Sequence, residues 1–89
     1  MMEYKEDPLE IIERHDAVEL VYTLPQGGKR KIGSAMKSDR GIWEIQWMPG
    51  GFLGFARSKD IALKVLWNNR DELLSDWQAE QQSQNHDTH

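Results

Sequence analysis

Three clusters of turn-forming residues constrain this chain more than any other feature: Pro25-Gln26-Gly27-Gly28, Ser38-Asp39-Arg40-Gly41 and Pro49-Gly50-Gly51. Proline fixes one turn dihedral and glycine supplies the positive ones, so each cluster stops a regular element. The segments between them are short. Val18–Leu24 is rich in β-branched and aromatic residues and reads as a strand. Lys31–Lys37 reads as a second strand, with Ile32, Ser34 and Met36 on one face. Ile42–Met48 alternates most clearly, placing Trp43, Ile45 and Trp47 on one side and Glu44, Gln46 and Met48 on the other. Phe52–Arg57 reads as the last strand; its alternation leaves open whether Leu53/Phe55 or Phe52/Ala56 face inward. Strands joined by tight turns form an antiparallel meander.

The flanks read as helical. Asp7-Pro8-Leu9-Glu10 has a capping residue, a proline suited to the first helical position and a glutamate three residues after the cap. It predicts a short N-terminal helix, with a strand over Leu9–Glu13 as the competing reading. Ser58 predicts an N-cap and Asp60 complements the first turn. Ala62, Leu66, Leu73 and Trp77 then form a stripe at helical spacing. Arg70 interrupts that stripe, so either its stem snorkels past the core edge or the helix breaks at Asn68-Asn69. The predicted fold class is α+β: a short N-terminal helix, a three- to four-stranded antiparallel meander, and a C-terminal helix packed on one sheet face. The predicted core is Trp43, Ile45, Trp47, Leu53, Phe55, Ala62, Leu66 and Leu73. Residues 1–77 form the expected single domain. Residues 78–89 are polar with one small apolar residue and are expected to be a disordered tail.

Eighty-nine residues suffice for one modest core, to which four Trp bring much of the burial potential. There is no cysteine, which excludes disulfides, thiolate nucleophiles and cysteine-type zinc sites. No apolar run approaches bilayer length, and the acidic, polar start does not resemble a secretory signal. The expectation is a cytoplasmic protein with no membrane partner.

Chemistry-bearing constellations are sparse. His86 and His89 lie three apart in the polar tail, and His15-Asp16 has no marked nucleophile beside it. Glu10, Glu13 and Asp16 read as a solvated face rather than an acid–base pair. Gly27-Gly28-Lys29-Arg30 lacks phosphate-loop spacing and a following helix. No catalytic residue, metal site or cofactor is expected.

Charge is more informative. Residues 1–28 hold two bases and seven acids, residues 29–70 nine bases and three acids, and residues 71–89 no base and five acids. The basic middle suggests a face for a polyanion. The opposing reading folds the acidic ends back onto it. Lys29, Arg30, Lys31, Lys37, Arg40, Arg57 and Lys59 would form a phosphate-holding rim around an aromatic-bearing sheet. Trp43, Trp47, Phe52 and Phe55 could stack on single strands instead.

Gly33–Trp67 resembles the three-stranded-sheet-plus-helix DNA-binding domains of the Apetala type and the amino-terminal arm-binding domains of integrases. The resemblance rests on Gly41-Ile42-Trp43-Glu44-Ile45, Phe52-Leu53-Gly54, Ser58 and Ala62, with Gly-to-cap and Gly-to-Ala intervals of four and eight residues. It implies DNA contact through the sheet. The family's first-strand arginines have no counterpart here, where Lys31 and Lys37 flank Ile32, Gly33 and Ala35. Gly54, Arg57, Ser58, Lys59 and Ala62 also look like the last-helix entry of double-stranded RNA-binding domains, with Asp60 in place of a basic residue.

The leading expectation is a non-enzymatic accessory module that binds DNA or RNA through this basic rim. The alternative is a protein-binding regulator or inhibitor, of the phage or mobile-element type, acting through its acidic segments or a sheet edge. The sequence leaves the oligomeric state open.

Overall fold

Turn chemistry and alternation together produce a sheet that is wider than predicted. A computed structural model describes residues 4–47 and 51–86. The elements run β1 (Lys5–Glu6), β2 (Leu9–Glu13), β3 (Ala17–Thr23), β4 (Lys29–Lys37), β5 (Trp43–Trp47), β6 (Gly51–Ala56), α1 (Lys59–Asn68) and α2 (Arg70–His86). All six strands form one antiparallel sheet in sequence order.

The expected N-terminal helix is absent, and this part of the fold expectation is corrected. Asp7-Pro8 instead makes the turn of a β1–β2 hairpin. An acidic residue followed by proline suits a turn as well as a helix start, and burial decides between them. As a strand, β2 places Leu9 in the core and Ile11 against it, in register with Tyr22 and Leu20 of β3. One helical turn could not bury both at that register.

The C-terminal region is also corrected, from one helix to two. Ser58 caps α1, its hydroxyl accepting from the Ile61 N–H at 3.2 Å. Asn69 ends α1, donating through Nδ2 to the Val65 carbonyl at 2.7 Å. Arg70 then fixes the junction. Its guanidinium donates to the Trp67 carbonyl at 2.8 Å, lies 4.4 Å from the centre of the Trp67 ring and pairs with Glu6 of β1 at 3.4 Å. A cation therefore sits at the helix end that favours it. Beyond Trp77, α2 continues through Gln78–His86, a stretch whose polarity led to an expectation of no ordered structure. Glutamine, alanine and glutamate are good helix formers, so the helix can propagate there without burying an apolar face.

Both helices cover one face of the sheet. The core is Leu9, Val18, Leu20, Ile32, Ala35, Trp43, Ile45, Ala56, Ala62, Leu63, Leu66 and Leu73, with Tyr4, Tyr22, Trp47, Trp67 and Trp77 packed around it. Two bulges set which residues face it. Opposite the Leu20–Val21 step, Ile32 is an extra residue on β4, so it joins Gly33 and Ala35 inside while Ser34 and Met36 lie on the opposite face. Opposite the Ile45–Gln46 step, Leu53 is an extra residue on β6. Phe52 and Phe55 then share the outer face, in register with Gln46 and Glu44, while Ala56 turns inward beside Trp43. Of the predicted core members, Phe55 is exposed for this reason, and Leu53, the extra residue on the outermost strand, is exposed as well.

Candidate functional site

The open face of the sheet, opposite the helices, divides into two halves. Over β2–β4 it is a lattice of ion pairs. Lys29 Nζ meets Glu10 Oε1 at 2.8 Å, Lys31 Nζ meets Glu19 Oε2 at 3.9 Å, and Arg14 meets the other Glu19 oxygen at 3.4 Å. The register explains these pairs. Glu10, Val21 and Lys31 lie in one cross-strand row, and Glu19 and Ser34 lie in the next. Val21, between Glu10 and Lys31 in that row, is buried on a face that carries no helix, as the stems of long charged neighbours allow.

On the helix side, Lys59 Nζ donates to the Arg14 carbonyl at 2.7 Å and lies 3.6 Å from Glu13. The acids of the first strands thus meet the bases of β4 and α1. Of the seven bases expected to hold phosphate, Lys29, Lys31 and Lys59 are engaged in this way. Arg30, Lys37, Arg40 and Arg57 have no acidic partner among the described residues, and they are not together. Arg30 faces the α2 side beside Trp77 and Gln78, and Lys37 stands at the far end of β4. Only Arg40 and Arg57 share a depression, an open one lined also by Ser38, Asp39, Ile42, Glu44, Phe55 and Ala56.

The Glu10–Lys29 pair carries a pH signature. The Lys29 ammonium, donating to the carboxylate and attracting its charge, holds Glu10 below its ordinary value. A carboxylate lowered by folding contributes stability that is complete above its unfolded value and is lost as pH falls through the lowered one. Glu10→Gln should therefore cost a few tenths of a kcal/mol near neutrality, as exposed pairs do. The cost should vanish in acid. Urea unfolding of both proteins across that range measures it, and a difference that grows on acidification contradicts the pairing.

The other half of the open face carries exposed apolar side chains beside Ser34, Glu44 and Gln46. Met36, Phe52 and Phe55 are 60%, 58% and 66% exposed, and the two Phe rings meet edge to face at 4.9 Å. Leu53 and Ile61 flank β6 on the helix side at 44% and 48% exposure. Leu53 shares a groove with Trp47 and Val65, and Val65 is one turn along α1 from Ile61. With Ile42, these complete the set of exposed large apolar residues among those described. All lie at the β4–β6 end. Sequence reading missed this cluster because it named Leu53 and Phe55 as core, although the alternation of the last strand left open which pair faces inward. The bulge separates them, Phe55 to the open face and Leu53 to the helix side of the outermost strand.

Among the described residues, no group of three or more His, Cys, Asp or Glu assembles to hold a metal, and no helix is long and apolar enough to cross a membrane. His89, and with it the His86–His89 spacing, lies outside the described residues. No family model, curated protein or solved structure matches the chain.

Proposed function

We propose that this protein is a non-catalytic binding module that docks another polypeptide at the β4–β6 end of its sheet. One observation carries the reading: every exposed large apolar side chain among the described residues is at that end. Burying one such side chain is worth about 1.5–3 kcal/mol, so leaving a cluster of them in water forgoes stabilisation that a partner would supply. The remainder of the open face is closed to such use by its own ion pairs. Benzophenone photo-cross-linking in living cells tests this. A probe at Phe55 should yield one discrete adduct that is lost when Phe52 is changed to Lys. A probe at Gln26, in the β3–β4 turn, should yield none. Equal labelling from both positions contradicts the reading.

A second reading keeps nucleic acid as the ligand. Two unpaired guanidiniums, Arg40 and Arg57, stand beside the exposed Phe55 ring. That combination suits a base stacked on an aromatic with its phosphate held nearby. Asp39 and Glu44 line the same depression and oppose it. With two cations engaged, single-stranded binding would show a log–log salt slope of only about −1.4. Fluorescence anisotropy with a labelled oligonucleotide at low salt checks this. Binding unaffected by Arg57→Ala and Phe55→Ala removes this reading.

A further inference from the structure

We infer that the partner docked at the β6 corner is a second copy of this chain, paired β6 to β6 in antiparallel fashion about a two-fold axis. This rests on the reading that the corner is the protein's association surface. The two outer strands of the sheet are unlike. β1 is two residues long, both charged, and its Glu6 is held by Arg70. β6 is six residues, Gly-Phe-Leu-Gly-Phe-Ala, without a charge or a proline. Natural edges are usually blunted by such residues. The bulge at Leu53 lies in the ladder with β5 and leaves the outer side of β6 unpaired.

Three arguments favour a second copy over an added peptide strand. First, β6 has no charge for an oppositely charged partner to read, and none to repel its own copy. Second, apolar side chains flank the edge on both faces of the sheet: Phe52 and Phe55 on the open side, Leu53 and Ile61 on the helix side. A lone peptide strand brings no helix layer to cover Ile61. An antiparallel copy sets its own α1 on the same face, so that each Ile61 flank meets its equivalent across the axis. Third, the amount of surface is adequate. At about 150–250 Å² per aromatic side chain, these four residues leave on the order of 400 Å² per copy uncovered, and the backbone ladder brings the total near the lower range of specific interfaces. Because β1 is short and charged, one open edge is matched by one closed edge. Association therefore stops at two rather than growing into a fibre.

The test uses the full chain. Sedimentation equilibrium should find a reversible dimer, weakened about tenfold or more by Leu53→Lys, while Gln26→Lys, in the exposed β3–β4 turn away from this edge, leaves the dimer intact. Circular dichroism and the thermal midpoint at dilute concentration show whether each variant is folded. The chain has no cysteine, so single spin labels are easily placed. Gln46→Cys labels on β5 should lie roughly 15–20 Å apart in the dimer, and Asp7→Cys labels roughly 45 Å, from the spacing of strands across a continuous sheet. A chain that stays monomeric at its solubility limit, or a dimer in which the Asp7 labels are the closer pair, overturns the inference. If that monomer still gives a Phe55-specific adduct with a different protein, only self-association has failed. If it gives none, the docking reading fails with it.

Discussion

Leu66→Ala lowers the unfolding free energy by about 2–5 kcal/mol. Leu66 is fully buried on α1 and reaches down to Gly33 in the middle of β4. Removing its isobutyl group loses transfer free energy and leaves a cavity. Most core positions can shrink such a cavity by relaxing neighbouring side chains. Here the wall opposite is glycine backbone, which has no side chain to move in, so the cost should fall in the upper part of that range. A domain of this size has total stability on the order of 5–15 kcal/mol, so the loss is a large share of it. Urea unfolding followed by tryptophan fluorescence measures the change as a shift in midpoint at constant slope. Asn68→Ala, on the exposed side of the same helix, should change stability by no more than about 0.5 kcal/mol. Equal effects at the two positions would mean that α1 does not pack through Leu66.

Much of the sheet was legible because its turns have chemistry of their own. Gly27 and Gly28 both adopt positive φ in the β3–β4 turn, a conformation that few residues other than glycine take readily. The strands on either side follow from alternation. Trp43, Ile45 and Trp47 face the helices as their spacing predicts. What could not be read was whether alternation persists. Side chains on a strand have a period of two, so one extra residue inverts every later assignment. The bulge at Ile32 brings Ile32 to the core and leaves Ser34 and Met36 on the other face; the bulge at Leu53 does the same to Phe52 and Phe55. No local residue pattern announces either of them. Both are set by pairing with the neighbouring strand.

The N-terminal segment shows a different limit. Asp7-Pro8-Leu9-Glu10 satisfies helix-start rules and turn rules equally, and only the presence of β3 for β2 to pair with decides. The charge pattern depends on the same fact. Once β2 and β3 are strands beside β4, Glu10 and Glu19 stand within reach of Lys29 and Lys31, and the acidic N-terminal region partners the basic middle. The sequence left open whether the acidic ends fold back onto the bases; the strand register decides it for Glu10 and Glu19. The apolar corner was hidden by the β6 register instead, since the sequence left open whether Leu53/Phe55 or Phe52/Ala56 face inward and the bulge decides it.

Gly33→Val sets two of these rules against each other, and their magnitudes decide the outcome. Gly33 lies within β4, in register with Leu20 and Trp47. Valine is a favoured strand residue and glycine a disfavoured one, a preference that spans about 1 kcal/mol. On that ground the substitution should stabilise. Packing argues the reverse. A Cβ at this position would stand 3.0 Å from Leu66 Cδ2, 3.4 Å from Leu73 Cδ1 and 3.6 Å from the Gln46 carbonyl oxygen. A single methyl group asks Leu66 to yield by a few tenths of an ångström, so Gly33→Ala should be close to neutral. The two further methyls of valine must enter space already held by α1 and the start of α2. Overpacking of this kind costs about 1–3 kcal/mol. Over most of that range the cost exceeds the propensity gain, so Gly33→Val should destabilise. The decisive measurement is the double-mutant cycle with Leu66→Ala. Valine at position 33 fills part of the cavity that alanine at position 66 opens. The double variant should therefore be more stable than the two single losses predict, by about 0.5–3 kcal/mol. Strict additivity would show that Gly33 and Leu66 do not meet, and that the close approach of α1 to β4 is not what requires glycine there.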